Sequence, residues 1–588
     1  MSVSEMPLIA VVADAHFHDL EGDFGIGTDE PGLAFRRLAD TVKSTRVFNE
    51  SSAALTYTLD DIAARGIRHV ILLGDYSDDG QVANLDGLSR LLLRYEQGFG
   101  MRFFAVAGNH DIFGMQGRHR SKRFVDETGG YVLATSDPGQ SDPDARRVTV
   151  SPAMYCHGYL KGLEPLRRMG FFRRGDEIHW ETPFGDCDHP GSRCYAAKSA
   201  DGAITYEMMD ASYLVEPVPG LWMLMIDANV FVPVASGLEA GAAEALADST
   251  DAGWNAMLVQ KSFVLDWMKD VSRRANQLGK RLLAFSHYPV LDPLRGTRNE
   301  EQALLGETSL TKRVPEQEVA EAFIETGVQL HFSGHLHIND TACFQGEEGF
   351  VVNVSVPSLI AYPAAYKIIA MGGESVEIET IRIDDCGLDP MIQKSYRTEI
   401  EMTGLPAERL MRAQTYGRFL HEHIGHLVSR RHLRREWPAG LAELVKSLTL
   451  ADVAALALMP SVDGAPDMEA VSALGALKSS PATLRAASDK LHPDLQLGDL
   501  DAVPLLTFVE DWYRMKMAGR LAMADIPGHR LKAYDAVSSL FDGIECEGNR
   551  LQAQLAALFA IFSKYSGKPS GNFTVSLQSG SIDAVMPG

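Results

Sequence analysis

The sequence predicts an α/β core followed by an all-helical region. Short apolar runs of strand length recur through residues 1–385, and several end directly in Asp, Asn or His. Such runs are typical of buried parallel strands, whose carboxyl ends line the crevice where open α/β sheets bind ligands. Further along, apolar positions recur at helical spacing. The predicted division is a first domain over 1–385, a linker over 386–405, a helical domain over 406–566 and a tail over 567–588.

The composition and charge of the chain limit its classes of partner. The 588 residues are 45% hydrophobic and 23% charged, which is ordinary for a globular protein. Acidic side chains number 78 against 55 basic ones, and the net charge is −23. Such a surface repels nucleic acid and anionic lipid, so we expect no long nucleic-acid partner and no membrane association.

Cysteine usage and the N-terminal sequence predict a cytoplasmic protein. Six cysteines are spread along the chain without a CxxC pair, so we predict reduced thiols rather than a disulfide framework or a zinc site. The apolar run over residues 8–13 is too short for the core of a signal peptide. No run of about eighteen apolar residues suggests a membrane span.

The first apolar run, residues 8–13, is followed at once by Asp14 and His16. Because these residues are two apart, an extended backbone points both side chains to the same side. A carboxylate and an imidazole so placed can bind one metal ion. Taken alone, the pattern also suits a capped turn after a core strand.

The second and third apolar runs end in glycine followed by polar residues. The second leads into Gly74 and Asp75, with Asp78 close behind. The third leads into a Gly-Asn-His-Asp tetrapeptide at residues 108–111, in which the glycine permits a tight turn. Neighbours on an extended chain face opposite ways, so Asn109 can offer a ligand oxygen while His110 stays free of metal.

Two later strands deliver histidines in the same way. The run over 281–285 leads to His287, and the run over 328–333 leads to His335 and His337, which are again two residues apart. Between the third strand and these, residues 112–220 lose the regular pattern and are too long for a simple connection. We predict that this span is an insertion folded over the strand ends.

The C-terminal region carries apolar stripes at helical spacing. One comprises Leu505, Phe508, Val509, Trp512 and Met515, and we interpret it as the core of a helical domain. A run of histidines near residue 421 lacks the H-E-x-x-H spacing of metalloproteases and is interpreted as a polar helix face.

Taken in order, the strand-end motifs resemble the calcineurin-like metallophosphoesterase superfamily. Its signature is D-x-H, G-D-x-x-D, G-N-H-[DE], a single His and G-H-x-H, and residues 7–385 carry all five in that order. The resemblance implies a four-layer α/β/β/α sandwich of two mixed sheets flanked by helices. It further implies a dinuclear metal centre with two divalent ions, whose ligands are Asp14, His16, Asp75, Asn109, His287, His335 and His337.

In that scheme Asp75 bridges the two ions, because a shared carboxylate offsets the repulsion between neighbouring cations. The mixed nitrogen and oxygen donors suit Mn, Fe, Zn or Co. A metal-bridging hydroxide would attack phosphorus, His110 would protonate the leaving oxygen, and Asp111 would orient the ring of His110. Asp78 would act indirectly, by holding a loop or a ligand in position.

Within the superfamily, the pattern looks like the bacterial class III cyclic-nucleotide phosphodiesterases. The resemblance therefore implies a phosphodiesterase acting on a small phosphodiester, with 3′,5′-cyclic nucleotides as the leading candidates. A phosphomonoesterase or nucleotidase is the alternative, because the same dinuclear core serves both reactions. We also expect the helical domain to be able to form a homo-oligomer interface.

Overall fold

The structure is a computed structural model. It describes residues 6–27, 33–126, 128–234, 238, 242–458, 474–491, 495–542, 550–567 and 571–585. The strands are β1 (Ile9–Val12), β2 (His69–Leu73), β3 (Arg102–Val106), β4 (Gly117–Arg118), β5 (Ser121–Val125), β6 (Tyr131–Thr135), β7 (Arg147–Val150), β8 (Cys156–His157), β9 (His179–Glu181), β10 (Cys194–Lys198), β11 (Thr205–Met209), β12 (Tyr213–Val218), β13 (Leu221–Ile226), β14 (Arg281–Ser286), β15 (Leu330–Ser333), β16 (Asp340–Gln345), β17 (Phe350–Ser355), β18 (Ala365–Met371), β19 (Ser375–Arg382), β20 (Phe573–Ser576) and β21 (Ile582–Ala584).

The α-helices span Leu38–Thr41, Ser51–Ala64, Val82–Phe99, Tyr159–Gly162, Gly253–Gln260, Ser262–Leu278, Arg298–Leu305, Gln317–Glu325, Pro390–Thr403, Tyr416–Leu427, Leu433–Arg435, Ala439–Ser447, Leu450–Ala457, Leu474–Lys478, Pro481–Lys490, Leu497–Asp501, Leu505–Ala518, Gly528–Leu540 and Arg550–Tyr565. None of the helices in the described ranges is long and apolar enough to cross a membrane.

The first sheet has seven strands in the order β21-β20-β19-β18-β1-β2-β3. Its strands β1, β2 and β3 are parallel, and the connections between them carry the helices Ser51–Ala64 and Val82–Phe99. All residues of β1 and β2 are buried, as their unbroken apolar sequence predicts. The carboxyl ends of the three strands therefore meet at one edge of the sheet.

The second sheet also has seven strands, in the order β16-β17-β15-β14-β13-β12-β9. Here β13, β14, β15 and β17 run parallel to one another. The hydroxyl of Tyr213 on β12 donates a hydrogen bond of 3.0 Å to the carbonyl of Ala105 on β3, which ties the second sheet to the first. The predicted fold class, mixed sheets with flanking helices followed by a helical C-terminal region, is confirmed.

Residues 112–220 differ in part from the predicted insertion. Strands β9 and β12 fall within this span but belong to the second sheet, so those segments are part of the core. Their short length and the buried Glu216 in β12 hid the strand pattern in the sequence. The rest of the span forms a three-stranded sheet of β5, β6 and β7 and two small two-stranded sheets.

The segment 386–405 is not an extended linker. It contains the helix Pro390–Thr403, whose first turn is capped by the side chain of Asp389 and which ends at Gly404 in the left-handed conformation. The carboxylate of Glu399 accepts hydrogen bonds from the backbone amides of Leu38 and Ala39, at 2.6 and 3.2 Å. The predicted tail likewise contributes β20 and β21 to the first sheet, beside β19.

The chain divides into two compact units whose boundaries differ from those predicted. The first comprises residues 1–293, 313–423 and 571–588, and the second comprises 294–312 and 424–570. Within the second unit, the apolar stripe on Leu505–Ala518 is fully buried, as predicted. The ring of Phe508 stacks on that of Phe559 with centroids 4.1 Å apart, and this pair forms part of the core of the helical unit.

The side chains near residue 421 do not form the polar helix face that was predicted from the sequence. His421, Glu422 and His423 are buried, not solvated, and Glu422 forms ion pairs with Arg409 and Arg418. None of the five described cysteines forms a disulfide bond, and Cys546 lies outside the described residues.

Candidate metal centre

All seven predicted ligands lie at the carboxyl ends of strands, and both sheets contribute. Asp14, Asp75 and Asn109 follow β1, β2 and β3 of the first sheet, while His287 and His335 follow β14 and β15 of the second. Parallel strands end at the same edge, so residues distant in sequence meet there. The structure brings these side chains into two groups.

The first group consists of Asp14, His16 and His337, whose ligand atoms lie within 4.8 Å of one another. The Nε2 atom of His337 is 3.4 Å from Nε2 of His16 and 3.5 Å from Oδ1 of Asp14. All three side chains are buried or nearly so. One carboxylate and two imidazoles converging on one point form a donor set of the kind that binds a divalent ion.

The second group consists of Asp75, His287 and His335, again with ligand atoms within 4.8 Å of one another. Asn109 joins them, because its Oδ1 lies 3.2 Å from Nε2 of His287. This group therefore offers a carboxylate, a carboxamide oxygen and two imidazoles.

Asp75 lies between the two groups. Its Oδ2 is 3.3 Å from Nε2 of His287 in the second group and 3.6 Å from Nε2 of His16 in the first. Its other oxygen, Oδ1, accepts a hydrogen bond of 2.8 Å from the backbone amide of His110. One carboxylate is thus within reach of both candidate sites, which is the arrangement that a bridging ligand requires.

Hydrogen bonds set which ring nitrogen faces the second group. His287 donates from Nδ1 to the carbonyl of Leu73 at 3.0 Å, which leaves the lone pair of Nε2 for a metal. His335 donates from Nε2 to the carbonyl of Thr250 at 3.1 Å, which leaves Nδ1. The hydroxyl of Thr250 accepts from Nδ2 of Asn109 at 3.0 Å, so Oδ1 of that carboxamide faces inward.

Thr250, which was not among the predicted site residues, therefore orients two candidate ligands. It lies in a polar turn whose composition differs little from other turns of the chain, and 141 residues separate it from Asn109. No local sequence signal identifies it.

Burial and neighbouring charges shift the pKa values of four of these ligand-type groups. Burial, and next Arg46, lower the pKa of His16 well below its usual value; burial, and next His287, do the same for His335, so both imidazoles are neutral. Burial works to raise the pKa of Asp75, but His287 and other neighbours hold it well below the usual range. Burial lowers the pKa of His287, yet Asp75 outweighs it and raises that pKa to about 9, so a metal ion must displace a proton there.

Backbone conformation at the site is strained. Several of the candidate ligands have positive φ angles, a region that costs non-glycine residues free energy and concentrates at functional sites: Asp14 (48°), His16 (39°), Asp75 (46°), His335 (71°) and His337 (58°). The donor chemistry, the fixed tautomers and this strain together fit a pair of divalent ions.

The glycines of the motifs make room for the ligands. A Cβ atom at Gly334 would lie 2.5 Å from Oδ2 of Asp14, and one at Gly108 would lie 2.8 Å from Cγ of Asp75. Each glycine therefore lets its loop approach a ligand that belongs to a different strand. The G-H-x-H and G-N-H motifs thus require glycine for the assembly of the centre as well as for the turn.

His110 lies beside the first group, and Asp79 is its partner. The ring centroids of His110 and His16 are 5.0 Å apart. Nδ1 of His110 contacts the carboxylate of Asp79, and Nη1 of Arg46 lies 3.1 Å from Nε2. Burial and then Arg46 lower the pKa of His110. Asp79 and Arg46 were not singled out from the sequence.

Asp111, which the sequence analysis assigned to orienting His110, contacts other groups in the structure. Asp111 is fully buried and accepts hydrogen bonds from the amides of Gly108 (2.8 Å) and Ser77 (3.0 Å) and from the hydroxyl of Ser77 (2.9 Å). It joins the loops after β2 and β3 instead of contacting the imidazole. Burial, together with Asp75, raises the pKa of Asp111 to about 8.

Asp78 is also buried and does not contact a candidate ligand. Its two oxygens accept hydrogen bonds from Arg36 (2.6 Å) and Arg46 (3.0 Å). Through the second of these bonds it contacts the arginine that faces His110.

Part of the chain resembles a known protein family in sequence. Residues 7–195 match the family model described as calcineurin-like phosphoesterase. No curated protein matches the chain. Similar solved structures include a dimetal phosphatase from Danio rerio, with 14% identity, a TM-score of 0.35 and coverage of 64% of this chain and 96% of that one.

Two further solved structures that resemble the chain come from other organisms. The anchor protein of the inner membrane complex of Plasmodium shares 9% identity over 64% of this chain and 84% of its own, with a TM-score of 0.23. Phosphopantetheinyl hydrolase from Mycobacterium tuberculosis shares 12% identity over 60% of this chain and 90% of its own, with a TM-score of 0.23.

Proposed function

We propose that this chain, which belongs to the calcineurin-like phosphoesterase family through residues 7–195, is a phosphodiesterase that hydrolyses a small phosphodiester. The leading candidates are 3′,5′-cyclic nucleotides. Members of the family are metal-dependent phosphoric ester hydrolases that use two divalent ions. The observation that carries the proposal is the position of Asp75 Oδ2, 3.3 Å from His287 and 3.6 Å from His16, between two groups of ligand type.

These distances support an assignment of ligands to the two ions. One ion would be held by Asp14, His16, Asp75 and His337, and the other by Asp75, Asn109, His287 and His335. When bound, such ions lower the pKa of water and neutralise negative charge on phosphoryl oxygens. We expect Mn, Fe, Zn or Co, given oxygen and imidazole donors without thiolate.

The chain itself would supply the proton that the leaving oxygen needs. His110 is within van der Waals range of the first ligand group but holds a different partner, Asp79, at Nδ1. That contact orients the ring so that Nε2 accepts a hydrogen bond from Nη1 of Arg46. We propose that the anionic substrate draws Arg46 away from Nε2, that Nε2 then takes up a proton from solvent, and that His110 passes this proton to the leaving oxygen.

A diester is favoured by the resemblance of the motif set to class III cyclic-nucleotide phosphodiesterases. The second candidate is a phosphomonoesterase or nucleotidase. The observation that favours it is the presence of cations beside His110. Arg46 pairs with Asp78, and Lys122 pairs with Asp79, the partner of His110. A monoester dianion carries more charge than a diester and would gain more from those cations.

Hydrolysis of two aryl phosphates distinguishes the candidates. The full-length chain, stripped with chelator and reloaded with Mn²⁺, is assayed with bis(p-nitrophenyl) phosphate and with p-nitrophenyl phosphate. We expect the larger kcat/KM for the diester and loss of both activities in EDTA. A strong preference for the monoester would favour the second candidate, and metal-independent hydrolysis would contradict both.

The homo-oligomer remains a proposal for the full-length chain. Truncation near residue 385 would remove β20, β21 and the helix Pro390–Thr403, which belong to the first unit. Gel filtration with light scattering of the intact protein is therefore the proper test. A monomer at assay concentration would contradict the proposal.

A further inference from the structure

A layer of basic side chains borders the candidate metal centre on the side of His110. Arg46 precedes the helix Ser51–Ala64, while Arg120 and Lys122 come from the start of β5 in the span 112–220. Arg120 and Lys122 are two residues apart on an extended segment, so both side chains point the same way. Thus two parts of the chain that are distant in sequence supply cations to one place.

The charges in this layer do not cancel. Within ion-pair distance in the described ranges, Arg36, Arg46, Arg120 and Lys122 face two carboxylates, those of Asp78 and Asp79. These ion pairs taken alone leave two positive charges over, and the carboxylates of Asp75 and Asp248 act on Arg46 and Arg120 from farther away. Such a concentration of cations contrasts with the net charge of −23 of the whole chain.

The cations lie nearer to solvent than the anions. The side chains of Arg46, Arg120 and Lys122 are 12%, 19% and 11% exposed, whereas those of Asp78 and Asp79 are 1% and 8% exposed. A ligand entering the cleft therefore meets positive charge first. The carboxylates beneath hold the cations in place.

Arg120 is the least satisfied of these cations. Its Nη2 is 3.7 Å from Oδ1 of Asp79, which is beyond hydrogen-bond length. Its buried Nε and Nη2 have no hydrogen-bond partner among the described residues. Buried donors of this kind cost free energy unless a partner occupies them, and a guanidinium is suited to the oxygens of a phosphate.

We propose that Arg46, Arg120 and Lys122 form a second anion-binding subsite, which binds a phosphate group of the substrate other than the one hydrolysed. This inference rests on the proposed phosphodiesterase function and narrows the substrate class to phosphodiesters that carry a further phosphate. It therefore ranks such esters ahead of the 3′,5′-cyclic nucleotides, which carry only the phosphate that is hydrolysed. It also assigns a role to the start of the span 112–220, which supplies two of the three cations.

The position of His110 indicates how far apart the two phosphates of such a substrate would lie. Nη1 of Arg46 lies 3.1 Å from Nε2 of His110, and the ring centroid of His110 is 5.0 Å from that of His16 in the first ligand group. The subsite therefore lies about one side chain away from that group, a separation that a sugar ring between two phosphates can span. Nucleotide esters phosphorylated at both ends of the ribose are therefore suitable probes.

The test uses a pair of diesters that differ by one phosphate. Thymidine 5′-(p-nitrophenyl phosphate) and its 3′-phosphorylated analogue share the reacting group and the leaving group. With the Mn²⁺-loaded full-length chain, we expect kcat/KM to be about tenfold or more higher for the 3′-phosphorylated ester, as charge-assisted hydrogen bonds predict. In Arg120→Gln this ratio should fall toward one.

Arg123→Gln is the matched control. Arg123 lies on the same strand but pairs with Asp40 and Asp142, and its side chain is 45% exposed. The variant removes one positive charge without touching the subsite, so the ratio should stay at the wild-type value. Arg120→Lys retains the charge and should keep part of the preference for the 3′-phosphorylated ester. This result would show that the loss in Arg120→Gln does not come from misfolding.

Calorimetric binding separates the subsite from catalysis. Thymidine 3′,5′-bisphosphate should bind the wild type and Arg123→Gln at least tenfold tighter than thymidine 5′-phosphate, and Arg120→Gln should lose this difference. If binding follows this pattern but neither ester is hydrolysed, the proposed function fails and the subsite stands. Equal kcat/KM and equal affinities in the wild type, or a preference that survives in Arg120→Gln, would overturn the subsite.

Discussion

Replacing Gly334 by alanine should damage the metal centre without adding any polar group. The new Cβ would lie 2.5 Å from Oδ2 of Asp14, which is 0.5 Å inside the 3.0 Å limit that real Cβ contacts respect. Asp14 has little freedom to move away, because it is fully buried and its Oδ1 and Oδ2 share the amide hydrogen of His335, at 3.1 and 3.0 Å from the nitrogen. The loop, the carboxylate or both must therefore shift by about half an ångström or more.

A displacement of that size acts on one ligand from each group. Misplacing reacting groups by about 1 Å can cost about a hundredfold in rate, so we expect kcat/KM to fall by roughly ten- to a hundredfold. Metal content after dialysis, measured by mass spectrometry, should fall as well. Gly98→Ala is the control, since a Cβ there meets nothing within 4 Å and alanine is a better helix former. Full metal content and activity in Gly334→Ala would refute the reasoning.

Three further predictions concern other parts of the first unit. Asp75→Asn should reduce the content of both metal ions and abolish turnover, whereas Asn109→Ala should mainly empty one site; equal losses in metal analysis would contradict the bridging role. His110→Ala and Asp79→Asn should slow esters with poor leaving groups by roughly tenfold or more beyond activated aryl esters, because the contact between the two residues orients the proposed acid. Equal losses for both classes of ester would exclude the acid role. Burial raises the pKa of Glu50 to about 7 from 4.5, so the folded chain keeps a proton that the unfolded chain releases. The contribution of Glu50 to the free energy of unfolding is therefore fully present below pH 4.5. About 3 kcal/mol of it is lost as the pH rises through 7. Glu50→Gln should raise the melting temperature relative to wild type at pH 8 but not at pH 4, and an equal effect at both would contradict this assignment.

The ligand positions could be predicted because each follows an apolar run that can only be a buried strand. The ends of parallel strands meet at one edge, so local sequence was sufficient to place Asp14, Asp75 and His335 near one another. The spacing of two residues in D-x-H and H-x-H likewise predicted that both side chains of each motif face the same side of the backbone. The structure adds strained φ angles at both motifs, which the simple picture of alternating side chains does not contain.

The partner of His110 could not be predicted, because it depends on a turn. Asp79 has a φ of 64°, and this left-handed conformation is part of the turn that brings its carboxylate to the imidazole. Asp111 is adjacent in sequence and for that reason was the simpler assignment. Thr250 and Arg46 lie on other segments altogether, so their contacts arise from tertiary packing and leave no trace in the local pattern.

The interlocking of the loops explains why the centre depends on the whole first unit. The amide of Asp14 donates to the carbonyl of Gly74, and the amide of His335 donates to the carboxylate of Asp14. The first bond joins the loops after β1 and β2 within the first sheet, and the second joins the second sheet to the first. A shift in either sheet would move ligands of both ions, so we infer that metal binding stabilises the packing of the sheets as well as the site.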